Sequence, residues 1–274
     1  MFAIRIIFLV LQIMRCLIWL LIFSFYGHQL RAQDTLRLPR PDLQYFGNCF
    51  KDAGALVIAP VKWNKNNYLG FAATISSVAI LSSADRSIKD FTQKNRSNFS
   101  NSLASYAFMP WGDGRYSIPV MGLFYLYGTL TKDTRSRETA CLGMETFFIG
   151  GAYTTVWKEL IHRYRPYASN SQYTFDGPFR WPNGIFTNAT SFPSGHTQSA
   201  FSMAAIIACE YHDKTWVPIV AYTLAGLCGL SRIHDNDHWA SDVLGGAALG
   251  ISTGVFIYKR EQVRKYNKSL KMKL

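Results

Sequence analysis

Six apolar stretches recur along the chain: Tyr68–Ala84, Tyr116–Leu130, Thr139–Trp157, Thr197–Cys209, Trp216–Leu230 and Val243–Tyr258. Each is too long for an ordinary strand and lacks period-two alternation, so the pattern predicts six helices. Charge collects between them, as in the linker Lys132–Arg137. Ahead of the first stretch, Met1 to Gln33 has an arginine-bearing start, an uncharged apolar core from Cys16 to Phe25, and then Gly27, Ala32 and Gln33. That order reads as a secretory signal cleaved near Ala32 or Gln33. Because Arg15 splits the apolar part, an uncleaved anchor helix is the alternative. Pro39 and Pro41 mark residues 34–67 as an irregular lead-in. The expected organisation is therefore a signal or anchor over 1–33, the lead-in, a helical domain over 68–258 and a basic tail over 259–274.

A transmembrane helix needs about 20 apolar residues. Most of the six runs are shorter and rich in Ser, Thr, Gly and Ala, and Glu145 sits inside the third. Small residues suit membrane bundles and tight soluble cores alike. The mean hydropathy of +0.01 leaves both open. Six spans would put the basic linker Lys132–Arg137 and the basic tail on one side, the cytoplasmic one. The same count places residues before Tyr68 in the cytoplasm, which a cleaved signal forbids. Either the signal, the first span or the membrane has to give way.

With 17% charged residues and 49% hydrophobic ones, the 274-residue chain is neither disordered nor a long coiled coil. Its net charge of +12 is concentrated at the ends. From Lys259 onward seven cations face one acid, Glu261. A basic tail after an apolar helix reads as a headgroup or cytoplasmic anchor, not as a nucleic-acid face. The five cysteines form no CxxC pair, so neither a zinc site nor a disulfide framework is suggested.

Three clusters carry chemistry. In Lys158-Glu-Leu-Ile-His-Arg-Tyr-Arg165-Pro166, the two outer cations are seven apart, about two helical turns, so both project from one face. Pro166 ends that element. Two cations at the mouth of an apolar helix repel unless an anion lies between them. In Ser191-Phe-Pro-Ser194-Gly195-His196-Thr197, Pro and Ser precede an apolar run. The free amides of a helix start hold anions, Gly195 admits close backbone approach, and His196 is an ionisable group over that anion. In Ser231-Arg232-Ile-His-Asp-Asn-Asp-His238-Trp-Ala-Ser-Asp242, His238 and Asp242 are four apart on one helix face. The carboxylate there fixes the imidazole tautomer and makes the other ring nitrogen more nucleophilic. Arg232 adds a fork shaped for phosphate. Each cluster alone also reads as snorkelling cations or as helix capping. In an up-down bundle, however, all three meet at one end. Lys158, Arg165, Arg232 and a helix start then supply positive charge, His238 a nucleophile, His196 an acid and Asp242 an orienter. That set meets the needs of metal-free phosphoryl transfer.

The pattern KxxxxxxRP, PSGH, SRxxxxxHxxxD resembles that of the type 2 phosphatidic acid phosphatase family. It matches Lys158–Pro166, Pro193–His196 and Ser231–Asp242 with no substitution at a fixed position. The resemblance implies an all-α fold, a six-helix bundle of that kind, membrane-embedded or membrane-associated. It implies that His238 attacks phosphorus and carries a phosphohistidine, with Asp242 orienting it and His196 protonating the leaving oxygen. Lys158, Arg165, Ser194, Gly195 and Arg232 would hold the equatorial oxygens. No metal and no cofactor is implied. His234, Asp235 and Asp237 fill the third motif and are left without a role. His162 reads as scaffold, and His212 as solvated in a polar loop.

The aromatic segment Tyr167–Phe192 would wall a pocket for a lipid tail, cover the site, or pack on itself. The expected partner is a phosphorylated lipid in a membrane of the bacterial-type cell envelope, handled at the periplasmic or outer face. Candidates are phosphatidic acid, phosphatidylglycerol phosphate, undecaprenyl pyrophosphate and a lipid A phosphate. A soluble periplasmic acid phosphatase acting on small phosphomonoesters is the alternative. A vanadium-dependent haloperoxidase, for which the chain is short, and a non-enzymatic membrane protein are the other readings.

Overall fold

A computed structural model describes residues 40–178 and 190–271. The proposed signal or anchor, Met1–Gln33, lies outside the described residues, as does the middle of the aromatic segment. Among the described residues eight α-helices follow one another: α1 Leu43–Ile58, α2 Lys65–Lys94, α3 Asn98–Ser102, α4 Ser117–Leu130, α5 Thr134–Ile161, α6 Gly195–Glu210, α7 Trp216–His234 and α8 Ala240–Lys271. No strand occurs among the described residues. A lone antiparallel bridge pairs Arg163 with Phe175. The fold is all-α, and each of the six apolar stretches lies in a helix, as α2 and α4 to α8.

Two expectations need correction. The lead-in contains a full helix, α1. Asp42 caps it, accepting from the Tyr45 amide at 2.9 Å. The prolines stand ahead of that cap, outside the helix, where they interrupt none of its hydrogen bonds. Apolar residues at Phe46, Phe50, Ala53 and Val57 then recur with helical spacing. Nor is the basic end a separate tail, since α8 runs unbroken to Lys271. Arg260 and Arg264 both donate to the buried Asp52 of α1, and Lys265 pairs with the buried Glu138 of α5. Carboxylates on neighbouring helices thus keep three of the tail's cations inside the fold.

Those pairs also fix the polarity of the bundle. The end of α8 lies beside the start of α5, so the two run antiparallel. The end of α5 and the start of α8, which carry the first and third motifs, then share the opposite end. At 28 and 32 residues these helices are about 42 and 48 Å long.

Helix α6 packs against α5, α7 and α8. Its contact with α8 is unusually close. A Cβ at Gly246 would lie 2.5 Å from the carbonyl oxygen of Ser194, and one at Gly254 would lie 2.7 Å from that of Ser202. One at Gly250 would collide with the carbonyl of Gln198. Glycines and carbonyls both step by four residues, so one backbone lies directly on the other along three turns. Gly250→Ala should therefore force the helices apart and destabilise the chain by about 1–3 kcal/mol. A lowered unfolding midpoint in detergent checks this, and an unchanged one would contradict the contact.

Among the described residues three helices, α2, α7 and α8, are long and apolar enough to cross a membrane. Helix α2 leaves Leu69, Phe71, Ile75 and Ile80 exposed.

Candidate active site

The three motifs meet at the end of the bundle where α5 stops and α6 and α8 begin. His162 closes α5 in the left-handed region at φ 45°, and its amide donates to the Lys158 carbonyl at 2.9 Å. This cap turns the chain out of the helix and leaves Lys158 on the last turn. The next residues fold back, with Tyr164 N on Thr174 O at 3.0 Å and Asp176 N on His162 O at 3.1 Å.

Ser194 caps α6. It is fully buried, and its hydroxyl accepts from Thr197 Oγ1 at 2.9 Å. Its amide donates to the Asp242 carbonyl at 3.0 Å, which ties the second motif to the third. A Cβ at Gly195 would lie 3.8 Å from Lys158 Nζ, so the ammonium faces the helix start across a gap that glycine keeps open. His196 follows in the first turn, where amides lack an intrahelical acceptor. It backs onto Gly112, where a Cβ would stand 2.7 Å from its own Cβ.

His238 is 3% exposed, and its Nδ1 lies 3.8 Å from Asp242 Oδ2. That is longer than a hydrogen bond, and Nδ1 has no hydrogen-bond partner. The carboxylate of Asp242, expected to hold the imidazole directly, spends its oxygens elsewhere. Oδ1 accepts from Arg163 Nη1 at 2.5 Å. Oδ2 accepts from Ser191 Oγ at 2.5 Å and from the Trp239 amide at 2.8 Å. The last bond has a local cause: as the third residue of α8, Asp242 reaches back to its own helix start, as in a capping box. Sites without ligand often hold such pairs long, and they tighten when the substrate is bound.

The cations are paired as well. Arg232, 3% exposed, donates to Asp237 Oδ2 at 2.9 Å and to Asp235. Arg165 Nη1 lies 3.7 Å from Asp237 Oδ1. Asp235 and Asp237, left without a role by the sequence, thus pair with the two arginines. His234 turns away, with Nε2 3.0 Å from Ser100 Oγ. His162 points to Glu159, 3.4 Å from Nε2, and His212 is exposed. Neither joins the site.

Burial dominates the ionisation of the site. Together with Arg232 and His238 it holds His196 at about 3, and together with Lys158 it outweighs the Asp242 carboxylate and holds His238 at about 4. Both rings are neutral at pH 7, His238 with a lone pair available. Burial and the nearby Arg165 push the Lys158 ammonium down to about 8.

Sequence reasoning missed four groups. Arg163, Ser191 and Ser241 lie in or beside the motifs at variable positions, and Asp85 lies on α2. Asp85 is 1% exposed, accepts from Ser241 N at 2.9 Å and from Ser241 Oγ at 2.5 Å, and receives Arg163 Nη2 at 2.7 Å. Two further bonds brace the site from α2: Lys89 Nζ to Pro166 O at 2.6 Å and Gln93 Nε2 to His234 O at 3.1 Å. The available signal was an acid closing an apolar helical run, which is costly unless partnered.

The model of the PAP2 superfamily matches residues 140–266, which include all three motifs. Over that segment, a little under half of the chain, the sequence is similar to the PAP2 superfamily. A lipid A 1-phosphatase of Porphyromonas gingivalis is 49% identical over 78 residues, 28% of this chain and 17% of that protein. A phosphatidylglycerophosphatase B of Bacillus subtilis is 36% identical over 76 residues, 24% of this chain and 37% of that protein. The chain thus spans well under two thirds of the length of these curated relatives. Among solved structures, a transmembrane PAP2-type phosphatidylglycerolphosphate phosphatase from Bacillus subtilis is 18% identical, with a TM-score of 0.49 over 70% of this chain and 95% of that one.

Proposed function

We propose that the chain is a membrane phosphatase that hydrolyses a lipid phosphate or pyrophosphate through a phosphohistidine, without a metal ion. The observation that carries the reading is the meeting of Lys158, the α6 start at Gly195 and His196, and the His238–Asp242 pair at one end of the bundle.

The neutral His238 ring attacks phosphorus through Nε2. A nitrogen–phosphorus bond forms, and the bond from phosphorus to the lipid oxygen breaks. Protonated His196 gives its proton to that oxygen, so the lipid leaves as an alcohol, or as a monophosphate from a pyrophosphate. Water then attacks the phosphorus, His196 takes its proton, the nitrogen–phosphorus bond breaks and inorganic phosphate departs. Burial with Arg232 and His238 keeps His196 neutral at pH 7. The negative charge of a bound phosphate favours its protonation, so substrate brings the acid into its working state. Lys158, Arg165, Arg232, the Ser194 side chain and the first-turn amide at Gly195 hold the oxygens on which charge builds.

Membrane residence rests on the three long apolar helices and on the outward apolar face of α2, where Leu69, Phe71, Ile75 and Ile80 stand exposed. The basic linker Lys132–Arg137 and the end of α8 share the far end of the bundle. With that end cytoplasmic, the site opens at the periplasmic or outer face. The likeness to a lipid A 1-phosphatase puts a lipid A phosphate first among candidate substrates.

The test is phosphate release by the purified full-length chain from a panel: lipid A phosphate, phosphatidylglycerol phosphate, phosphatidic acid, undecaprenyl pyrophosphate and small soluble monoesters. Preference for a lipid member is expected. Turnover of soluble esters alone would sink the lipid assignment. The pH profile of kcat/KM should fall below about pH 4, where His238 takes a proton, and above about pH 8, where Lys158 loses one. Lys158→Arg should remove the alkaline limb, because a guanidinium does not titrate there. A limb that persists in this variant belongs to another group.

A further inference from the structure

We propose that Asp85 and Arg163 form a positioning relay for Asp242 and His238, so that α2, outside the family-matched segment, sets the carboxylate behind the attacking ring. The proposal rests on the phosphatase reading above and names residues which that reading does not use.

The geometry is complete at every donor. A guanidinium carries five N–H groups in a rigid fork. In Arg163, which is 3% exposed, all five find acceptors. Nη1 donates to Asp242 Oδ1 at 2.5 Å and to Ser241 Oγ at 2.7 Å. Nη2 donates to Asp85 Oδ2 at 2.7 Å and to Gln172 O at 2.9 Å, and Nε donates to Gln172 O at 3.1 Å. The Arg163 carbonyl accepts the Ser191 amide at 2.9 Å, and the Ser191 hydroxyl returns to Asp242. Ser241 closes the ring by donating both its amide and its hydroxyl to Asp85. The Asp242 carboxylate therefore cannot rotate without breaking bonds to three residues.

Charge gives the arrangement a chemical consequence. Arg163 alone would cancel Asp242 and leave nothing to favour positive charge on the His238 ring. Asp85 restores one net negative charge behind the imidazole. That charge is wanted when the ring attacks and becomes cationic, because Lys158 and Arg165 oppose a cation there, and His196 faces it as a further ionisable ring. In a buried site such a fixed charge is weakly screened.

The experiment compares the full-length wild type with Asp85→Asn, Arg163→Lys and the double variant on the best lipid phosphate of the panel. The readouts are kcat, KM, competitive inhibition by inorganic phosphate and the pH profile. With Asp85→Asn, kcat should fall about 10–100-fold, the usual cost of losing a partner behind a reacting ligand. KM and the phosphate inhibition constant should stay within about threefold, because neither residue touches the anion. The acid limb should move to lower pH, since losing a negative charge makes the imidazolium harder to form. The double variant should be no worse than Arg163→Lys alone, because both act along one path. An unchanged kcat, equal changes in kcat and KM with an unmoved acid limb, or additive losses would overturn the relay. Should Asp85→Asn not fold, Arg163→Lys, which keeps the charge and loses the fork, carries the same readouts. A wild type inactive on every phosphate would end the phosphatase reading itself, whereas an active wild type with indifferent variants would end only the relay.

Discussion

His238→Ala is expected to abolish phosphate release, with a loss of about 10⁴-fold or more in kcat. Removing the nucleophile from a unit that acts together costs about as much as removing the whole unit. The variant should fold. The ring is buried, but its Nδ1 bonds to nothing and Asp242 keeps its bonds to Arg163, Ser191 and Trp239. The expected loss is therefore chemical. Two measurements fix its origin. Quenching the wild type in alkaline detergent during turnover should trap a phosphorylated chain that is labile in acid and stable in base, and His238→Ala should yield none. His196→Ala should differ in kind. It should slow esters of a poor leaving alcohol far more than those of an acidic phenol, which needs no proton to depart. Chelators should leave the wild-type rate unchanged. Appreciable turnover by His238→Ala, with its far-ultraviolet spectrum intact, would remove the phosphohistidine step.

The site was legible where its residues keep fixed local spacing. Lys158 and Arg165, the turn Pro193–His196, and His238 with Asp242 each lie within a dozen residues, so short-range chain geometry keeps each set together, although Arg165 stands past the end of α5 and His238 ahead of α8 rather than on one helix face with its partner. The apolar runs were legible for the same reason. What escaped has no local period. Asp85 and Arg163 are 78 positions apart, and their pairing follows from the way α2 packs beside the motif loops. Arg163 stands at an unconstrained place in the first motif, where a lone cation reads as surface. Helix α1 was hidden because its prolines precede the cap, and proline marks a helix start as readily as a break. The basic end read as a headgroup or cytoplasmic anchor because its partners Asp52 and Glu138 lie more than a hundred residues away. Asp235 and Asp237 could be seen in the sequence, but their pairing with Arg232 and Arg165 needs the turn that brings them back over α7.

That pairing gives Arg232 a second duty, and Arg232→Ala should lose more than one oxyanion donor commonly does. A single such donor is worth about 10²–10³ in kcat. Arg232 also neutralises Asp235 and Asp237, both only partly exposed. Without it, two carboxylates would face the incoming phosphate, and like charges at that range raise the cost of binding as well as of reaction. We therefore expect about 10³-fold or more in kcat/KM, with KM rising alongside the fall in kcat. The carboxylate share can be separated from the donor share. Asp237→Asn introduced into the Arg232→Ala chain should recover part of KM and little of kcat, because it removes repulsion without restoring a donor to the transition state. In the wild-type background the same Asp237→Asn change should tighten inhibition by inorganic phosphate, since Arg165 and Arg232 would no longer be held by that carboxylate. If Arg232→Ala costs only kcat and Asp237→Asn recovers nothing, the two acids do not face the anion, and their contact with the arginines belongs to the empty site alone.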